Sequence, residues 1–330
     1  LQFMRILVTG SAGLIGSHLV DSLLKKGHHV VGIDNLSYGS KNNLSEAETN
    51  NNFTFLKSDV KDISRVFKDT SFEIVYHLAS KKKPWGGEIK SNSVIDENYI
   101  MTREVVKYCN EKDSFLVFTS TSDVYGNSKF FLESEKITIG PPTNERYSYA
   151  ISKLVSEQYV FNEISQSGLL ASVVRIFGCA SERSKPSWSA GHVPLFIYNA
   201  LNNIKLNIHG DGTQTRSISS AIDIADGLSS MCEKQNFINN EIINLGTDEQ
   251  TTVKSVAEYI VKKTNSNSEI VFTAKEKIFG NYDEITVRFA NTLKAKNKLN
   301  FKINFSTYEV IDSIIKSYND PNSKYYVIKK

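Results

Sequence analysis

Tyr149 and Lys153 are the residues whose types and spacing point most directly to chemistry. In Tyr149-Ala-Ile-Ser-Lys153 the i, i+4 spacing places a phenol and an ammonium on one face of a helix. A neighbouring ammonium favours phenolate, drawing the phenol pKa down from about 10 toward neutrality so that Tyr149 can serve as a general base. Taken alone, such a pair is equally a solvated helix face. Upstream lies Ser120-Thr121-Ser122-Asp123-Val124-Tyr125-Gly126, a hydroxyl-rich stretch at the end of an apolar run. Its bland reading is a turn capping a strand, with Asp123 bonded to local backbone.

A second constellation sits near the start of the chain. Gly10-Ser-Ala-Gly13-Leu14-Ile15-Gly16 follows the apolar run Ile6-Leu7-Val8 and opens an amphipathic segment. Glycines there make a tight turn and let backbone amides approach a pyrophosphate, with the positive end of a helix dipole behind them. The next apolar run ends in Asp34, about twenty residues beyond the glycines, where a carboxylate accepts both ribose hydroxyls of a dinucleotide. A carboxylate repels a 2′-phosphate, and no arginine adjoins it, so the cofactor expected is NAD rather than NADP.

These groups need elements to position them. Short β-branched runs alternate with segments of helical period through the first 180 residues, the pattern of a parallel sheet covered on both faces. Strands are expected at Arg5 to Thr9, His29 to Asp34, Phe53 to Lys57, Ile74 to Leu78, Phe115 to Ser120 and Ala171 to Ile176, with helices at about Leu14 to Lys26, Val94 to Asn110 and Ser148 to Ser165. Beyond Cys179 the segments are shorter, with Gly/Ser/Pro-containing stretches at Ser181 to Gly191 and Gly210 to Gly212. The expected fold is an α/β, Rossmann-type doubly wound parallel sheet: residues 1–180 form the dinucleotide-binding domain with the catalytic residues, and 181–330 form a smaller substrate lobe interleaved with it.

Composition narrows the class further. The 330 residues are 40% hydrophobic and 23% charged with six prolines, which argues for a globular rather than a disordered chain. A net charge of +3, with Lys81-Lys82-Lys83 and Lys329-Lys330 as the compact basic runs, is too little for a nucleic-acid footprint. Cys109, Cys179 and Cys232 lack metal or disulfide spacing, so no metal site is expected and a reducing cytoplasm fits. No apolar run reaches the length of a membrane span, and Leu1-Gln2-Phe3 ahead of Met4 reads as extraneous sequence.

The GxxGxxG spacing, the YxxxK pair and the chain length together resemble the extended short-chain dehydrogenase/reductases, the NAD-dependent nucleotide-sugar epimerases and dehydratases. The resemblance implies a loop over the adenosine at Asp34-Asn35-Leu36-Ser37, Gly39 and Asn43-Leu44, an adenine contact at Asp59-Val60, a nicotinamide-ribose flank at Leu78-Ala79-Ser80, and a cofactor-site residue at Asn98. It makes Thr121 the hydroxyl that orients the reacting sugar oxygen, beside Ser122, with Tyr149 and Lys153 as base and phenolate partner. Arg216, in His209-Gly-Asp-Gly-Thr-Gln-Thr-Arg216, falls where a guanidinium grips a diphosphate bidentately. Arg288 falls at a second phosphate position; Lys81, Arg175, His192 and Val193 complete the expected substrate contacts, although a lone His is more often structural. Arg175 stands in this alignment where the family has Asn.

Asp123 occupies a position that is acidic in sugar 4,6-dehydratases and glucuronate decarboxylases, and small or hydroxylic in epimerases. The leading expectation is therefore a 4,6-dehydratase in which Asp123 takes the C5 proton of a 4-keto sugar. The rivals are a 4-epimerase, a decarboxylase of a nucleotide-linked uronic acid with Arg175 or Arg216 on the carboxylate, and, from another class, a non-catalytic NAD sensor or scaffold. The same resemblance implies a homodimer through the helices at Val94 to Asn110 and Ser148 to Ser165.

Overall fold

The computed structural model describes residues 3–81, 91–274 and 285–328; Leu1-Gln2, Lys82-Lys83 and Lys329-Lys330 of the segments named above lie outside them. Strands β1 (Arg5–Thr9), β2 (His29–Asp34), β3 (Phe53–Lys57), β4 (Ile74–His77), β5 (Phe115–Thr121) and β6 (Ala171–Ile176) form where their sequences predict, to within a residue at each end. Helices α1 (Leu14–Lys25), α2 (Ser91–Lys112) and α3 (Ser148–Ser167) connect them. β1, β4 and β5 are buried on both faces, which is why they read as unbroken apolar runs.

A seventh strand, beyond residue 180, joins this sheet. Ile242–Leu245 pairs in parallel with β6 and gives the order Ile242–Leu245, β6, β5, β4, β1, β2, β3. Four residues in a region of short irregular segments carry too little periodicity to announce it. The chain steps from β1 outward to β3 and then crosses back to β4, so the strand order reverses between β1 and β4. Crevices at the carboxyl ends of such strands are where open α/β sheets bind ligands. Gly10 follows β1 there at φ +69°, and a Cβ on Gly16 would lie 2.1 Å from the Gly10 carbonyl oxygen. Only hydrogen fits at that closure of turn onto helix.

The second lobe packs α4 (His192–Leu201), α6 (Val253–Lys263) and α7 (Thr307–Asn319) around a small parallel pair, β7 (Leu206–His209) with β9 (Ile270–Thr273); α5 (Ala221–Ser229) and β8 (Ile242–Leu245) belong to the first. Its core contains Phe196, Ile208, Val256, Ile260, Ile311 and Ile314. Three two-residue strands, Thr215–Arg216, Thr251–Thr252 and Val287–Arg288, form a separate ribbon in which Arg288 is the register partner of Arg216.

The structure corrects one expected substrate contact. Arg175, in β6, points into the protein: its Nε and Nη2 donate to Glu157 Oε1 and Oε2 at 3.0 and 2.7 Å, and its guanidinium lies 4.7 Å from the Tyr125 ring centroid. Both side chains are almost wholly buried. Removing one partner of such a pair leaves the other charged and unsolvated. Arg175→Met is therefore expected to cost about 3–5 kcal/mol of unfolding free energy in urea titration, while the folded protein keeps its nucleotide-sugar affinity.

Candidate active site

A cavity of about 810 Å³ opens at the carboxyl ends of the strands and continues between the two lobes. It is bordered by Gly10, Gly13, Leu14, Ile15, Gly16, Asp34, Asn35, Ser37, Gly39, Asp59 and Val60 at one end. Leu78, Ala79, Ser80, Thr121, Ser122, Asp123, Tyr149 and Lys153 border its middle; Lys81, His192, Val193, Arg216 and Arg288 also face it. Two expected residues do not. Arg175 is enclosed as described, and Asn98 acts one layer back: its Oδ1 accepts from Lys81 N at 2.7 Å and its Nδ2 donates to Ser152 Oγ at 2.9 Å, pinning the β4 exit loop to α3.

The glycine end suits a dinucleotide. Asp34 Oδ2 accepts from Ala12 N at 3.0 Å and Oδ1 from Leu36 N at 2.7 Å, so one carboxylate fixes both the glycine turn and the loop after β2. Burial raises its pKa, and the two backbone amides oppose that rise. A carboxylate held at the edge of a cavity beside glycines that admit no Cβ is the donor set NAD requires. The adenosine ribose would lie on Asp34 and the pyrophosphate on the amides of Gly13 to Ile15.

The middle of the cavity is built on α3. Lys153 Nζ donates to Thr119 O at 2.9 Å and lies 4.9 Å from the Phe118 ring centroid. Burial pulls its pKa down to about 7, against a smaller upward pull from Glu157. Tyr149 departs from the expectation of a lowered phenol pKa. Burial and then the Asp123 carboxylate push it up, and a hydrogen bond with Ser80 pulls back only partly. Lys153 is engaged with the β5 backbone, so in the chain alone the ammonium does not offset that rise. The positive charge of an oxidised nicotinamide, when NAD is bound, would oppose that rise.

Thr121 Oγ1 accepts from Asp123 N at 3.2 Å, an arrangement that leaves the hydroxyl hydrogen to donate to a substrate oxygen. Asp123 is ion-paired with Arg288, a bond from the end of β5 to the ribbon of the second lobe. His192 is partly buried beside Arg216, and desolvation first and that guanidinium second lower its pKa to about 4, so it is neutral near pH 7. Among the described residues no three His, Cys, Asp or Glu side chains gather as a metal site, and no helix is long and apolar enough to cross a membrane.

Several bordering residues carried no signal in the sequence. Cys179, Arg183, Lys185 and Trp188 come from the connection after β6, and His209 from β7. Trp188 stacks on His209 with ring centroids 4.4 Å apart. Arg183 Nη2 pairs with Asp21 at 2.6 Å, while its Nε and Nη1 have no hydrogen-bond partner among the described residues. Charge in an irregular connection was the one available hint.

Comparison with known proteins decides the family. The model of the NAD dependent epimerase/dehydratase family matches residues 6–246. The chain belongs to this family. It is 32% identical over 320 residues to the UDP-N-acetyl-alpha-D-glucosaminuronate decarboxylase of Bacillus cytotoxicus, covering 96% of this chain and 98% of that one. It is 31% identical to UDP-glucuronic acid decarboxylase 1 of Danio rerio over 81% of this chain and 62% of that relative. The fold matches the UDP-glucuronic acid 4-epimerase of Bacillus cereus, solved with UDP-glucuronic acid and NAD, at TM-score 0.83 and 27% identity, over 95% of this chain and 99% of that one. The chain is thus an NAD-dependent enzyme that modifies nucleotide sugars.

A test of the electrostatics follows from Tyr149. The Asp123 charge raises the phenol pKa, so Asp123→Asn is expected to move the acidic limb of the kcat/KM profile to lower pH while lowering its plateau. An acidic limb that stays in place would contradict Tyr149 as the base.

Proposed function

We propose that this epimerase/dehydratase-family enzyme decarboxylates a UDP-linked uronic acid. The observation that carries the reading is the Asp123–Arg288 pair: it places a guanidinium at the catalytic carboxylate, beside Tyr149, in the cavity. A neutral hexose presents no anion at C6 to that cation, whereas a uronate does. A C5 carboxylate forms a charge-assisted, bidentate bond with it in place of Asp123. Relatives that act on UDP-uronates support the same choice of substrate.

In this reading Arg216 holds the diphosphate, Thr121 donates to the C4 oxygen, and Tyr149 takes the C4 hydroxyl proton, with Lys153 stabilising the phenolate. NAD, when bound, takes up hydride from C4 and later returns it. A ketone at C4 makes the sugar a β-keto acid. The C5–C6 bond then breaks, carbon dioxide leaves, and the bonding pair passes to the C4 oxygen as an enolate. Thr121 and Tyr149 donate to that oxygen, and a solvent proton is added at C5. Arg288 keeps the carboxylate out of the sugar-ring plane, where the breaking bond overlaps the carbonyl π system, and the proton is added at C5 before the ketone is reduced.

The 4,6-dehydratase first expected from Asp123 is less well supported: the dTDP-glucose 4,6-dehydratase of Bacillus anthracis is 22% identical and speaks for the fold alone. We also propose a homodimer through α2 and α3, which pack on each other and leave Val155 43% exposed on their outer face.

Incubation with NAD and either UDP-glucuronate or UDP-N-acetylglucosaminuronate, followed by product mass and carbon dioxide capture, tests the reaction. The expected product has lost carbon dioxide. Unchanged mass with inverted C4 would make the enzyme an epimerase, and loss of water from a neutral UDP- or dTDP-hexose would restore the dehydratase.

A further inference from the structure

The chain after α7 reverses at Asp320, whose side chain accepts from Asn322 N at 2.9 Å and whose carbonyl accepts from Ser323 N at 2.9 Å. The returning segment is tied to the second lobe: Val327 N donates to Tyr318 O at 3.1 Å, and Tyr325 and Val327 pack on that lobe's core. Its other face meets the first domain. Tyr325 Oη donates to Asn43 Oδ1 at 3.2 Å, and Lys324 Nζ donates to Ser45 Oγ at 2.6 Å.

Asn43 is no ordinary surface partner. It is 5% exposed, borders the cavity, and through Nδ2 donates to Ala12 O at 3.0 Å. Ala12 N in turn donates to Asp34 Oδ2. A continuous chain of hydrogen bonds therefore runs from Tyr325 through Asn43 and the glycine turn to the carboxylate at the ribose end. The 181–185 connection is held in the same way. Ser181 Oγ bonds His18 Nε2 on α1 at 2.9 Å, and Tyr318 at the foot of the returning segment donates to Ser184 O.

We propose that residues 320–328 are a strap that fixes the adenosine loop against the glycine turn, and that Tyr325 is a positioning residue for NAD. Tyr325 does not border the cavity. It orders Asn43, which orders the turn whose amides face the pyrophosphate. The second lobe, which binds the nucleotide sugar, thereby helps to hold the cofactor of the first. A loop that is ordered before binding loses less conformational entropy when NAD arrives, so the strap acts on cofactor affinity.

The test is Tyr325→Phe, which keeps the ring in the core and deletes only the hydroxyl, with NAD dissociation from the holoenzyme followed by fluorescence. One lost hydrogen bond predicts NAD binding weaker by about three- to tenfold, with the dissociation constant of UDP unchanged and hydrogen exchange faster at residues 10–13 and 39–45. Lys324→Ala, at the exposed rim, is expected to have a smaller effect in the same direction. Unchanged NAD release in Tyr325→Phe would overturn the proposal. So would faster exchange confined to the second-lobe core together with equal weakening of NAD and UDP, because that pattern marks general loosening.

Discussion

The Asp123–Arg288 ion pair is the contact on which the arrangement of this enzyme turns. Asp123 stands just past the carboxyl end of strand β5, and Arg288 stands on a two-residue strand of the second lobe. Neither side chain is more than 14% exposed. In so dry a place the two charges hold each other strongly, and each is costly to leave alone. The pair thus closes the second lobe over Tyr149. It also sets a condition on the substrate, which must either lie beside a satisfied ion pair or bring an anion that competes for Arg288.

The inner face of α3 extends the same electrostatic logic. Tyr149, Lys153 and Glu157 follow one another at i, i+4 and i+8 and point along one line into the protein. At the far end Arg175 neutralises Glu157 with two hydrogen bonds. Glu157 then exerts only a secondary pull on Lys153, whose pKa is governed by burial. Lys153 is anchored on the β5 carbonyl of Thr119, the same strand end that carries Thr121 and Asp123. Tyr149, Lys153 and Thr121 are therefore referred through that bond to one rigid element, β5. Catalytic groups held by regular structure keep closer tolerances than groups held by loops.

What was legible in the sequence was what depends on local spacing. The glycine turn, Asp34 at the end of β2, and the Tyr149/Lys153 pair each lie within one supersecondary unit, so periodicity and turn chemistry located them. Arg175 was misread because a strand residue's two sides look alike in sequence, and the partner that draws it inward, Glu157, lies on a different element. Asn98, expected in the cofactor site by resemblance, holds Ser80 and Lys81 at the edge of the cavity through its amide. Arg183, Lys185 and Trp188 reach the cavity through an irregular connection, and His209 from the end of β7, along paths set by the packing of the second lobe. The pairing of Arg288 with Asp123 spans 165 residues and the junction of two lobes. No pattern of composition or period encodes a contact of that kind.

The account rests on Arg288 being the receptor of a substrate carboxylate, and binding measures this most directly. Calorimetric dissociation constants of UDP-glucuronate and UDP-glucose should be compared for the NAD-loaded enzyme and for Arg288→Gln. The prediction is a preference for the uronate of about tenfold or more in the wild type, the size of a hydrogen bond between charged groups, and loss of that preference in the variant. Equal affinity for the two sugars in the wild type, or a uronate preference that survives in Arg288→Gln, would contradict it.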